Sequence, residues 1–219
     1  MASSDLFNDY RLTGILLIFS FISFAIGATL PLLGKQGNMR IFTLPVPDYL
    51  RAVADNAIVW RRGNMFMGAA AVILLAGLSL LSMMLEGANE RIFSLLGLVG
   101  FLLAAVLWVI FSAFRSTVTV EAAQDLTTTG VMPAHYEPLA KWGFALFLVY
   151  AVVGFLALAA YGLSILQTGL LPAWTGWATL IFSIAMLILL LITGDTLPAF
   201  HYLPAVLIGI VLLFVGRAG

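Results

Sequence analysis

The sequence has no cysteine at all, which excludes disulfide staples, thiolate metal sites, iron–sulfur clusters and cysteine nucleophiles. Charge is almost as scarce. Only 9% of the 219 residues are Asp, Glu, Lys or Arg, against about 25% in an ordinary globular domain, and that is too little to clothe a surface facing water. The ten basic residues balance the ten acidic ones, so no basic field exists to collect nucleic acid, and nucleic acid is not expected as a partner. Catalytic signatures are missing too: there is no Gly-x-Ser-x-Gly, no His-Glu-x-x-His, no phosphate-binding glycine loop and no Gly-x-Gly-x-x-Gly. The expectation is a protein without catalytic residues or a resident cofactor.

What fills the chain instead is hydrocarbon: 63% of the residues are hydrophobic and the mean hydropathy is +1.11. Leu12 to Leu33 runs without a formal charge and as a helix reaches roughly 33 Å, enough to cross a bilayer. Met1 to Arg11 lacks the positive start of a cleavable signal, so this first span is expected to stay in place. Gly63 to Leu85 and Ile92 to Phe114 repeat the pattern. Trp142 to Gly194 is too long for one helix and breaks at Gln167-Thr168-Gly169-Leu170-Leu171-Pro172, with Pro172 suited to the first turn of the next helix. A further turn at Thr193-Gly194-Asp195-Thr196 precedes a last apolar run. Because a lipid-exposed backbone must satisfy its own hydrogen bonds, these runs read as an all-α, polytopic bundle in one transmembrane domain. About six spans are expected, at 12–33, 63–85, 92–114, 143–166, 173–193 and 197–216, with no soluble domain at either end.

Two connections have room for structure. Pro47 to Arg62 places Leu50, Val53, Ala57 and Trp60 at helical spacing, with Asp48 as N-cap and Arg51, Arg61 and Arg62 turned to headgroups. This reads as a short interfacial helix or as a packed loop helix. Between spans three and four, the third helix is expected to continue to about Asp125 before Gly130 ends it. Trp60, Trp142, Trp174 and Trp177 fall at span ends, where tryptophan anchors at headgroup level, with Arg61 and Arg62 beside the first. Trp108 lies inside span three and reads as packing. Counting Lys and Arg by side gives Lys35, Arg40, Arg51, Arg61, Arg62, Arg115 and Lys141 against Arg11, Arg91 and Arg217. That asymmetry puts the long loops in the cytoplasm and both termini outside.

Helices dissolved in lipid associate by close backbone approach and interhelical hydrogen bonds. The small-xxx-small pairs Ser23/Gly27, Gly100/Ala104, Ala160/Ser164 and Ala205/Gly209 therefore mark expected contact faces. No proposed span carries Asp, Glu, Lys or Arg in its interior, which speaks against proton-coupled transporters, pumps and voltage sensors. The two histidines occur in related contexts, Pro133-Ala134-His135-Tyr136-Glu137-Pro138 and Pro198-Ala199-Phe200-His201-Tyr202-Leu203-Pro204, on one side of the membrane. His135 and His201 with Glu137 and Asp195 could hold a metal, and the two histidines a haem. The plainer reading is interfacial anchoring. Glu121, Asp125 and Thr127 to Thr129 read as a solvated segment.

The stretch Thr168-Gly169-Leu170-Leu171-Pro172-Ala173-Trp174-Thr175-Gly176-Trp177-Ala178, followed by two apolar spans, resembles the Gly-Leu-Leu-Pro-x-Trp-x-Gly-Trp hairpin of several families of uncharacterised bacterial multi-helix membrane proteins. The resemblance covers about 50 residues, implies the bacterial inner membrane, and supplies no catalytic residues. Taken with the missing intramembrane charge, the sequence points first to an accessory or scaffolding subunit that packs against lipid and other membrane protein subunits. The alternative is a carrier or receptor for a neutral or apolar molecule in a cavity near Tyr150, Tyr161, Ser164 or Thr193.

Overall fold

The computed structural model describes residues 2–33 and 44–216, with side chains over 9–32 and 44–216. Lys35, Arg40 and Arg217, which enter the sidedness count, lie outside the described residues. Among the described residues every regular element is helical: α1 (Ala2–Thr29), α2 (Val46–Ala54), α3 (Ala57–Gly87), α4 (Ile92–Ser116), α5 (Val118–Thr129), α6 (Tyr136–Thr168), α7 (Ala173–Thr193) and α8 (Tyr202–Val215). Six stretches are long and apolar enough to cross a membrane: Asp9–Leu32, Ala57–Gly87, Ile92–Thr129, Tyr136–Thr168, Ala173–Thr193 and Pro198–Val215. The chain is a multi-pass integral membrane protein. Several helices overrun the expected spans because absence of charge marks only the part that suits hydrocarbon, whereas the hydrogen-bond ladder continues into the polar layers.

The stops are chemical. Pro31 cannot donate to the α ladder, and α1 gives way to a 3-10 turn at Leu30–Leu33. Gly130, Gly169 and Gly194 end α5, α6 and α7 at φ of 72°, 62° and 70°, a left-handed backbone that glycine adopts without a Cβ penalty. The third apolar run does continue beyond its span, but as two helices broken at Thr117.

Spans adjacent in sequence pack side by side, and α8 returns onto α1, so the bundle is a ring whose lightest seam lies between α7 and α8. Glycine sets the closest approaches. A Cβ at Gly27 would stand 2.5 Å from the Gly63 carbonyl oxygen, and one at Gly63 2.7 Å from that of Gly27, which fixes α1 against α3. Gly14 and Gly209 join α1 to α8 in the same way, and Gly162 and Gly176 join α6 to α7. Of the expected contact faces, Ser23 also donates to the Phe66 carbonyl at 3.1 Å, Gly100 lies against Ala157 and Ala104 against Gly154.

The helix expected over Pro47 to Arg62 is present but ends at Ala54; after Asp55 and Asn56 the chain restarts as α3, so Ala57 to Arg62 open a span. Asp48 is not its N-cap. It sits in the first turn and pairs with Arg51 at 2.9 Å, the boundary being set by Pro45. The apolar face of α2 closes on α5, where Leu50, Val53, Trp60, Phe114, Val120, Ala123, Leu126 and Tyr136 form a second core apart from that of the bundle.

Candidate functional site

Two buried polar features stand out inside the ring. The first is a layer at the level where α1, α4, α6 and α8 converge. His201 ends a 3-10 turn over Pro198–His201 that two prolines bracket, Pro198 at its start and Pro204 in the first turn of α8. Its ring is fully buried, stacked on Phe155 at 3.9 Å between centroids and tilted over Tyr150 at 4.4 Å. Nε2 lies 3.2 Å from the Ala151 carbonyl and Nδ1 3.4 Å from that of Pro198. A neutral imidazole donates to one of these carbonyls, and which one depends on its tautomer. Gly154 makes the approach feasible, since a Cβ there would lie 2.7 Å from His201 Cδ2. Tyr150 packs in turn on Trp108 at 4.7 Å, and Phe24 stacks on Tyr202 at 4.7 Å. Trp108 is a packing residue, as its position in span three indicates, and its indole N–H donates to the Met67 carbonyl at 2.9 Å.

The second feature lies at the opposite end, where α3, α4 and α6 meet. Glu90 precedes α4, and its carboxylate accepts the backbone N–H groups of Phe93 at 2.7 Å and Ser94 at 3.0 Å. It is thus a side-chain cap for the first turn of that helix, where the dipole favours an anion. It also accepts the Ser164 hydroxyl from α6. Burial pushes the Glu90 carboxyl up, but the hydrogen bonds from Ser164, Phe93 and Ser94 outweigh it and hold the group below the usual carboxylate value. One turn deeper, Tyr161 and Ser82 share a hydrogen bond of 2.7 Å, and Tyr161 also meets the Leu78 carbonyl at 3.1 Å. These groups tie three helices together with hydroxyls and one carboxylate. Sequence reasoning misses Glu90 because it stands between spans. An acid two residues before an apolar run, with serine four residues on from the acid, is the available signal.

The histidines and carboxylates singled out in the sequence are not brought together. His201 is buried in the bundle, whereas His135, Glu137 and Asp195 are exposed. Glu137 pairs with Lys141 at 2.9 Å, and Asp195 accepts the Thr196 N–H at 2.7 Å within its own turn. Among the described residues no three of His, Cys, Asp and Glu come close enough to hold a metal ion. The proline-bracketed turn carries His201 inward, while His135 stays ahead of α6 at the surface.

Trp60 is a correction. Only 2% of it is exposed, its indole N–H donates to the Arg115 carbonyl at 3.1 Å, and the Arg115 guanidinium lies 4.8 Å over its ring. It belongs to the second core, because the break at Asp55 and Asn56 turns it towards α4 rather than outward. Trp142, Trp174 and Trp177 are exposed near helix ends, and Arg61 and Arg62 are exposed in the first turns of α3. The residues named for a ligand cavity divide likewise. Tyr150, Tyr161 and Ser164 touch no open space, at 1%, 0% and 0% exposure, and Thr193 is on the surface, bonded within its turn. A shallow groove of about 370 Å³ opens between α1, the end of α3 and the α6–α7 turn, lined by Asp9, Tyr10, Leu80, Met83, Met84 and Leu170.

No protein family, curated protein or solved structure matches the chain.

Proposed function

We propose that this chain is a non-catalytic accessory or scaffolding subunit of a larger membrane complex, in the bacterial inner membrane, with its long connections in the cytoplasm and its termini outside. The observation that carries the reading is the position of α7. It is held by α6, touched only lightly by α8, and is the least buried of the six spans. Ile181, Ile184, Ile188, Leu191 and Ile192 are left exposed along it. Elsewhere a continuous apolar core joins the spans, and buried polar groups such as Tyr161, Trp108 and His201 bond across helices, which suits a part that others pack against.

The test is extraction of the full chain in mild detergent. A second polypeptide in fixed ratio is expected, lost on Ile184→Trp with Ile188→Trp and retained on Leu96→Trp with Leu103→Trp, which alter the outer face of α4. A stable, stoichiometrically pure monomer from native membranes would refute the reading.

A further inference from the structure

We propose that Arg61 and Arg62 form a binding site for the headgroup of an anionic phospholipid whose acyl chains lie along α3. Both side chains are exposed, and neither has an ion-pair partner among the described residues. Of the acids at this end of the bundle, Asp48 pairs with Arg51 and Glu137 with Lys141, each at 2.9 Å. Two adjacent guanidinium groups offer forked donors that match phosphate oxygens.

What sits directly beyond them selects a lipid over a free anion. Met65 and Phe66 stand one helical turn after the arginines on the same face, and the exposed apolar strip continues through Val72 to Met83. From Met65 to Met83 the strip is about 27 Å long at about 1.5 Å per residue, close to the ~30 Å hydrocarbon thickness of a bilayer. The arginines stand at one end of that strip, with a single exposed apolar residue, Ile58, one turn beyond them. The backbone beneath them is anchored, because Trp60 is buried and bonded to Arg115. The site does not depend on the chain being an accessory subunit.

The experiment is native mass spectrometry of the detergent-purified full chain, titrated with phosphatidylglycerol and with phosphatidylcholine of matched acyl chains. At about fivefold per arginine near an anionic surface, the wild type should prefer phosphatidylglycerol by about thirty-fold. Arg61→Gln with Arg62→Gln should remove that preference at unchanged thermal stability, and Arg91→Gln, at the other end of the bundle, should keep it. Between 50 and 500 mM salt the wild-type preference should shrink, which tests the site without any variant. A preference that survives the double substitution, falls with Arg91→Gln or ignores salt would overturn the proposal. So would displacement of the bound lipid by millimolar glycerophosphoglycerol, which would make this a site for a free anion.

Discussion

Substituting Gly154 by Ala tests the layer around His201. The added Cβ would stand 2.7 Å from Cδ2 and 2.9 Å from Nε2 of a ring that cannot retreat, since Phe155 and Tyr150 hold it at 3.9 and 4.4 Å. Either α6 moves away from the proline-bracketed turn, or the ring tilts and loses its 3.2 Å contact with the Ala151 carbonyl. Overpacking costs about 1–3 kcal/mol and an interhelical hydrogen bond in a membrane protein is worth about 0.6 kcal/mol, so the variant should be destabilised by about 2–3 kcal/mol. For a bundle of this size that is a fall of roughly 5–10 °C in Tm. Thermal unfolding in detergent, followed by tryptophan emission, reads it with Trp108 in the same layer as reporter. The decisive comparison is the double-mutant cycle with His201→Ala, which empties the space the methyl group needs. In that background Gly154→Ala should cost less than about 1 kcal/mol, giving a coupling of about 1–2 kcal/mol. Equal cost in both backgrounds, or no cost in either, would refute the packing argument.

Gly27→Ala and Gly63→Ala should each destabilise by at least about 2 kcal/mol in the same assay, because backbone carbonyls at 2.5 and 2.7 Å cannot yield; Gly87→Ala, with nothing within 4 Å, should be neutral or stabilising. Glu90 has a lower pKa folded than unfolded, so its stabilisation is present above the unfolded value near 4.5 and is lost as pH falls through the folded one. Tm measured from pH 6 down to 3 should therefore drop faster below about pH 4.5 in the wild type than in Glu90→Gln, and parallel curves would remove Glu90 from this role. In single-tryptophan variants, lipids brominated on their chains should quench Trp174 and Trp177, about half exposed, and spare Trp60 and Trp108, at 2% and 1%; quenching of Trp60 would return it to the interface.

How far the fold is legible in the chain depends on which forces act locally. The fifth span, expected at 173–193, occupies that range as α7, because a proline bounds it at one end and a glycine in the left-handed region at the other. The pairings Gly27 with Gly63 and Gly162 with Gly176 are not legible, since spacing marks a small face but not the face it meets. Trp60 is misplaced by sequence reasoning for a related reason: helical periodicity runs through Asp55 and Asn56, where the chain breaks and changes direction.

The order of amino acids alone settles the solvent of this protein and the number of its crossings. Hydrocarbon tolerates so little charge, and so few unpaired amides, that long uncharged runs have one stable form. Which polar groups are wet is settled by packing instead. His201 and His135 share a local context, yet one is sealed between Phe155 and Tyr150 and the other faces outward. Glu90, a loop residue by its position, is buried against Ser164 of a helix 74 positions away. Burial is a property of neighbours brought from elsewhere in the chain, and no short stretch of sequence contains them.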